Sequence, residues 1–348
     1  MWLFSQTKRR IRLKIGRLLQ SLGHVSGLIE FTARIRRSEG AVVLMYHSVA
    51  DDNQSEFIDP ANHVSADVFF QQMEFLSRNR KVVDLKELVA TLRQGKTPPA
   101  GMVAITFDDG YLDNLTIAAS ILDRYSLPAT LFLPTGYIDR GETQWVDQAY
   151  SAFKFRGISS LTWGVEQATM FDLDNPAQYR AAYQAVCGLL LTAGIEERRQ
   201  LLTELRDQLK PTIIPPRLTM TWDEVRILIG KHRFFRIGGH TLEHTDLTSV
   251  SVEEAKNELT TCAQQIHEKL GVWPDYFSFC YGRNSESLRS LLPEAGFEAA
   301  CGDGDGDPVI KSSADLFQLP RIAAPASMRR FDLMTSSANT GIWRRLDR

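Results

Sequence analysis

MVAITFDDG, residues 102–110, runs six residues without polar alternation and ends on two adjacent carboxylates and a glycine. An unbroken run rich in β-branched and apolar side chains reads as a strand covered on both faces, the kind that parallel sheets use. The spacing predicts a helix over Leu112–Tyr125 and a further buried strand, ATLFL, over Ala129–Leu133. Strand, helix and strand in that order make a right-handed parallel unit. Upstream, AVVLMY (Ala41–Tyr46) reads as another buried strand, followed by helices over Ala66–Asn79, with Ser65 as N-cap, and over Asp84–Gln94. Downstream the alternation resumes with helix Trp222–Gly230, strand Phe234–Gly238, helix Val252–Leu270 and strand Tyr276–Cys280. Helix Ser285–Ala295, strand Phe297–Cys301 and a last strand near Leu316–Ile322 follow. The expected fold is therefore α/β: a distorted (β/α) barrel of about seven parallel strands. Residues 140–218 break the rhythm, with helical patterns over Gln178–Ala193 and Ile195–Leu209 and a stop at Pro211, Pro215 and Pro216. They are expected to form a helical insertion within one catalytic domain spanning 41–348.

The first forty residues differ in charge. Nine lysines and arginines against Glu30 and Glu39 give +7; the whole chain carries −2, so the remainder carries −9. An acidic main body argues against a nucleic-acid partner. Ile11, Ile15, Leu18, Leu22, Val25 and Ile29 form an apolar stripe beside a basic face, which predicts an amphipathic N-terminal helix. Two readings stand: peripheral contact with an anionic membrane through residues 8–37, or docking on a protein surface. Neither a secretory leader nor a membrane-spanning run is legible, so the expected location is the cytoplasm or the cytoplasmic face of the membrane. Cys187, Cys262, Cys280 and Cys301 lack metal-knuckle spacing and read as free thiols.

In barrels of this kind the chemistry sits at the C-terminal strand ends. Asp108 and Asp109 fall there, and two neighbouring carboxylates repel each other unless a cation or a proton intervenes. One can ligate a metal while the other acts as a base; alternatively either could cap the following helix. GGHTLEH, Gly238–His244, follows another strand. Its histidines at i and i+4 converge if the segment makes one helical turn, and with one carboxylate they form a two-histidine, one-carboxylate metal set with open positions. Thr241 stands where a zinc protease would need its glutamate, which excludes that reading. Asp303–Asp307, with alternating Asp and Gly, lacks the loop length of a calcium site and reads as a turn.

TFDDG (Thr106–Gly110) and HTLEH (His240–His244) resemble the first two motifs of the polysaccharide deacetylase family, carbohydrate esterase family four. The resemblance covers roughly residues 41–138 and 219–323. It implies that Asp109, His240 and His244 bind a divalent metal, most often zinc, and that Asp108 is the general base. Phe279-Cys280-Tyr281-Gly282 is similar to a third motif, with Cys280 in place of the usual proline; the resemblance implies that the Tyr281 backbone N–H stabilises the oxyanion. Leu319-Pro320-Arg321-Ile322 resembles a segment whose arginine orients the catalytic aspartate. The family's late histidine is missing, since none follows His267. Tyr46-His47-Ser48-Val49 looks like the N-terminal segment of a permuted subset that includes biofilm poly-N-acetylglucosamine deacetylases, which implies that His47 is the general acid. The implied activity is removal of N-acetyl groups from N-acetylhexosamine units of a polysaccharide, oligosaccharide or glycolipid precursor in exopolysaccharide or cell-envelope synthesis. Two rival expectations are a non-catalytic, membrane-associated glycan binder and an amidohydrolase acting on a non-sugar amide.

Overall fold

Side chains along a strand alternate between faces, and Met102–Phe107 shows what that alternation does here. Val103, Ile105 and Phe107 point outward into an apolar layer under the surrounding helices. Met102 and Ala104 point inward, where they meet Ala41, Val43, Phe132, Ala299, Cys301 and Leu319. The same period carries Thr106 and then Asp108 to the inner face.

The computed structural model describes residues 39–51, 55–164, 168–303 and 307–336. Its strands are β1 (Ala41–Tyr46), β2 (Ser48–Ala50), β3 (His63–Ser65), β4 (Lys81–Val83), β5 (Met102–Phe107) and β6 (Ala129–Leu133). After these come β7 (Ser160–Trp163), β8 (Thr169–Asp172), β9 (Phe235–Gly239), β10 (Tyr276–Ser278), β11 (Ala299–Gly302) and β12 (Leu319–Ala323). Seven of them close a parallel barrel in the order β1-β12-β11-β10-β9-β6-β5, with β5 pairing back onto β1. The distortion has a local cause. One edge of β5 is shared, its first half by β4 (Lys81–Val83 opposite Met102–Ala104) and its second half by β6 (Ala129–Leu131 opposite Ile105–Phe107). Leu85, Leu88, Val89 and Leu92 of helix Leu85–Arg93 join the inner apolar cluster and stopper it, so the barrel is a filled core and only its C-terminal mouth is free for chemistry.

Helices Ala66–Asn79 and Ile195–Leu209 form as the periodicity predicts, the first with Ser65 as its N-cap. Other expectations shift. Leu112–Tyr125 opens with a π-turn over Asn114–Ala118 before the α-helix Ala119–Tyr125. Of Ser285–Ala295 only Glu286–Arg289 is α-helical. The insertion is helical in part: beside helices Trp145–Lys154, Pro176–Thr192 and Ile195–Leu209 it contains the antiparallel hairpin β7–β8. Alternate burial of Leu161 and Trp163 ties the hairpin to the insertion's own apolar core. The chain returns to the barrel at Leu218–Met220, which hydrogen-bonds Gly110 and Leu112 across the mouth. The basic helix expected over residues 8–37 lies outside the described residues, as do 304–306 of the Asp-Gly loop. Among the described residues no helix is long and apolar enough to cross a membrane. Cys187, Cys262, Cys280 and Cys301 are free.

Gly238 shows how tightly the barrel is filled. A Cβ there would lie 2.5 Å from Phe132 Cδ1 and 2.7 Å from the Tyr276 carbonyl oxygen. Overfilling a packed interior costs about 1–3 kcal/mol. Gly238→Ala is therefore expected to lower the denaturant midpoint without changing the slope of unfolding; an unchanged midpoint would show that β9 and β10 can separate at little cost.

Candidate active site

Strand pairing brings the predicted residues to one mouth. Tyr46 of β1 sits opposite Phe107 of β5, so His47 and Asp108 leave the barrel side by side, and the Asp108 N–H donates to the Tyr46 carbonyl at 2.9 Å. Leu133 of β6 is level with Gly239 of β9, and the His240 N–H donates to the Leu133 carbonyl at 3.0 Å. Arg321 lies in β12 opposite Val43. His47, Asp108, Asp109, His240, His244, Tyr281 and Arg321 all line one cavity of about 350 Å³, together with Asn62, Gln144 and Asp303.

The two adjacent aspartates are separated by backbone geometry. Asp109 has φ = 72°, a left-handed conformation that Asp tolerates better than most residues. The kink leaves Asp108 on the barrel's inner face and turns Asp109 toward the histidines. Asp108 receives a bidentate grip from Arg321, Nη1 to Oδ1 at 2.7 Å and Nη2 to Oδ2 at 2.6 Å. Arg321 is itself positioned by Thr106 Oγ1 at 3.2 Å, Ser278 Oγ at 2.7 Å and the Phe132 ring beneath its guanidinium. Burial alone would raise the Asp108 pKa, but the charge and hydrogen bonds of Arg321, together with His240 and His47, outweigh it and hold the carboxyl below its usual range.

Asp109 Oδ1 stands 3.2 Å from His244 Nε2 and 3.5 Å from His240 Nε2. No hydrogen bond satisfies this buried oxygen among the described residues. His240 Nδ1 lies 2.7 Å from the Ser278 carbonyl; an acceptor there requires the proton on Nδ1 and leaves the Nε2 lone pair facing Asp109. Burial draws the His240 pKa down to about 4, so this ring is neutral at pH 7. Asp109 is held well below the carboxylate range: burial opposes this, but the potentials of His244, His47 and His240 prevail. An ionised carboxylate, a neutral imidazole with its free lone pair inward and a second imidazole nitrogen meet at one point, a donor set that fits a divalent cation. Cys280 also comes within 4.8 Å of the ligand atoms of His240 and His244. Its burial pushes the thiol well above its normal pKa, and Sγ contacts the His240 carbonyl at 3.6 Å and Thr241 Oγ1 at 3.5 Å. Without a cation, the negative charge at this cluster sits on Asp109.

The histidines do not converge through a helical turn. Thr241 and His244 have φ = 63° and 52°, and the HTLEH segment is a loop. The group that holds it, Glu258, was missed by sequence reasoning. Its buried carboxylate accepts from Leu242 N at 2.8 Å, Glu243 N at 3.0 Å and Thr245 Oγ1 at 3.0 Å. The legible signal was an acid among Ala255, Leu259, Cys262 and Ala263, on the apolar face of helix Val252–Leu270. Tyr281 lies in the left-handed region at φ = 57°. Its hydroxyl accepts from Trp145 Nε1 at 3.1 Å and lies 3.0 Å from His244 Nδ1, so the side chain supports a histidine. Trp145 and Trp163 are buried, so neither offers a sugar a stacking face.

A sequence model described as polysaccharide deacetylase matches residues 95–187 and 192–300. The chain is 36% identical over 92 residues to YxkH of Bacillus subtilis (strain 168), a protein named for the polysaccharide deacetylases; the match spans 26% of this chain and 30% of that relative. Among solved structures it is similar to the Streptococcus pyogenes deacetylase PplD in complex with acetate, at TM-score 0.57 and 16% identity over 86% of this chain and 99% of that one. It is also similar to IcaB from Ammonifex degensii, at TM-score 0.54 and 16% identity over 87% and 99% of the two chains. At these identities the structural likeness establishes the barrel.

Arg321 offers a test of the electrostatics. In the fold the ionised Asp108 is favoured, which stabilises the protein above the unfolded carboxyl value near 4 and is lost as pH falls through the lower folded value. Without Arg321, burial remains and raises that carboxyl above its unfolded value, reversing the sign. Arg321→Met should cost about 3–5 kcal/mol at pH 7 by stranding a buried charge. The deficit should shrink as pH is lowered toward 4. Thermal melts across pH 4–8 check this, and a deficit independent of pH would mean the pair is not what holds Asp108 ionised.

Proposed function

The chain belongs to the polysaccharide deacetylase family, and from that premise we propose that it is a metal-dependent enzyme that removes N-acetyl groups from N-acetylhexosamine units of a glycan. The observation that carries this reading is the meeting of Asp109 Oδ1, His240 Nε2 and His244 Nε2 within 3.2–3.5 Å of the carboxylate, beside an Asp108 clamped separately by Arg321. Asp109, His240 and His244 would hold a divalent cation, zinc by donor type, which supplies Lewis acidity toward the acetyl carbonyl and an attacking water.

The remaining work falls to the chain. Asp108, ionised throughout the neutral range by Arg321, accepts the proton of the attacking water. The bidentate grip fixes both carboxylate oxygens, so the acceptor does not rotate away from the mouth. As charge develops on the acetyl oxygen, the Tyr281 backbone N–H is the donor at the cavity wall. His47 delivers a proton to the departing nitrogen, without which the amine is too poor a leaving group. The rival readings separate by assay: acetate release from chito-oligosaccharides supports this one, whereas metal binding without acetate release favours a glycan-binding relative. Turnover of small non-sugar amides alone favours a different amidohydrolase.

Protein purified without added metal is expected to carry one divalent ion per chain by elemental analysis, zinc foremost. His240→Ala and His244→Ala should each lose it; full metal and activity in both would remove the basis of the assignment. His47→Asn should keep the metal and lower kcat by about 10²–10⁴. It should also flatten the basic limb of the pH–rate profile, which reports the protonated acid. A near-normal kcat with an unchanged profile would assign proton donation to another group.

A further inference from the structure

Gln144 lines the catalytic cavity and is 2% exposed. Neither its amide nitrogen nor its amide oxygen has a hydrogen-bond partner among the described residues. Buried side-chain amides are nearly always paired, because an unpaired donor or acceptor forfeits its hydration. Local structure does not account for the residue. Gln144 occupies the N-cap of helix Trp145–Lys154, yet its side chain makes no capping bond. Its position is nevertheless fixed on both sides. Thr143 Oγ1 accepts from Leu218 N at 3.1 Å, the Thr143 carbonyl accepts from Gln148 Nε2 at 2.6 Å, and Trp145 is bonded to Tyr281. An amide with both ends unpaired, carried on a backbone anchored on either side and lining the cavity of the metal-ligand cluster, is a recognition group awaiting a ligand.

The rest of the wall narrows the ligand's chemistry. Among the described residues the one arginine that lines it, Arg321, is committed to Asp108 through both terminal nitrogens, which leaves no guanidinium among those residues to receive a carboxylate or phosphate. Asn62 brings a second neutral amide and Asp303 a negative charge. A carboxamide presents a donor and an acceptor together, which matches neighbouring hydroxyls on an uncharged sugar ring. Resting on the deacetylase reading above, we propose that the Gln144 side-chain amide binds hydroxyl groups of the neutral sugar ring that carries the scissile acetamide, and so selects glycans over simple acetyl compounds.

Gln144→Met, close in volume and without polar ends, tests this on the metal-loaded protein. Kinetics are compared on chito-oligosaccharides and on an aryl acetate, which presents an acetyl group and no sugar. The expected result is a kcat/KM on the glycan reduced about tenfold more than on the aryl acetate. The loss should be mainly in KM, with metal content equal to wild type. Because the amide has no protein partner, the melting temperature should hold or rise, as when an unsatisfied polar group is replaced by an apolar one of the same shape. Equal losses on the two substrates, no loss on the glycan, or a melting temperature that drops would each overturn the assignment; a variant that does not fold belongs with the last of these. A wild-type enzyme that hydrolyses aryl acetates and no N-acetylated glycan marks the separate failure of the deacetylase reading and takes this inference with it.

Discussion

Two carboxylates one residue apart, both buried, are the constraint around which this molecule is arranged. At neutral pH they repel each other and both lose hydration, so each needs its own source of positive potential. The left-handed turn at Asp109 makes that feasible by sending the side chains in different directions. Asp108 stays in register with Ala104 and Thr106 on the inner face, where Arg321 from β12 reaches it. Asp109 faces the histidines that follow β9. A barrel brings these strands together as flat sheets do not: β12 and β9 are far apart in order along the sheet, and only closure of β5 onto β1 puts both within reach of one strand end.

The support around the site has the same character. The HTLEH loop carries two left-handed residues, and Glu258 receives the N–H groups of Leu242 and Glu243, which a helical turn would have used differently. Two of the contacts that key the insertion in bear on the site. Trp145 donates to Tyr281, which leans on His244. Tyr111, two residues after Asp109, donates to Asp147 at 2.6 Å, and Asp147 also accepts the Asp59 N–H. Burial pushes the Asp147 carboxyl up to about 7 despite both bonds. The native state therefore favours its protonated form below that pH, and the junction is weakened as pH rises through it. The segment read from sequence as an insertion thus reaches the groups beside the aspartates.

Much of this was legible from residues because the signals were local. Apolar runs without alternation placed β1, β5 and β6, and the DDG and HTLEH segments drew the eye because they ended such runs. What escaped was non-local or conformational. No periodicity announces that Glu258 will clamp a loop 13–16 residues upstream, although an acid on an apolar helix face was the clue. The helical turn drawn through His240–His244 followed from i,i+4 spacing alone; left-handed backbone at Thr241 achieves the convergence by another route. The hairpin β7–β8 was hidden among helices because S-L-T-W offers only two buried positions, too few to stand out. The basic N-terminal stripe lies beyond the described residues.

Where polar atoms go unpaired is itself informative. Most of the fold satisfies its buried groups: Gln72 bonds Tyr46 and the Pro325 carbonyl, Ser48 and Asp113 bond each other, and Arg198 is spread over three carbonyls. Of the atoms left without partners, Asp109 Oδ1 and both ends of Gln144 border the same cavity. Each costs stability in the resting protein, and on the proposed reading each gains a partner when metal or substrate enters. On that reading the two would face different parts of one ligand: the carboxylate toward the reacting carbonyl by way of a cation, the amide toward the sugar that presents it. A site that leaves these atoms bare trades stability for selectivity, since an analogue lacking the matching groups leaves them unpaired and binds poorly for that reason alone.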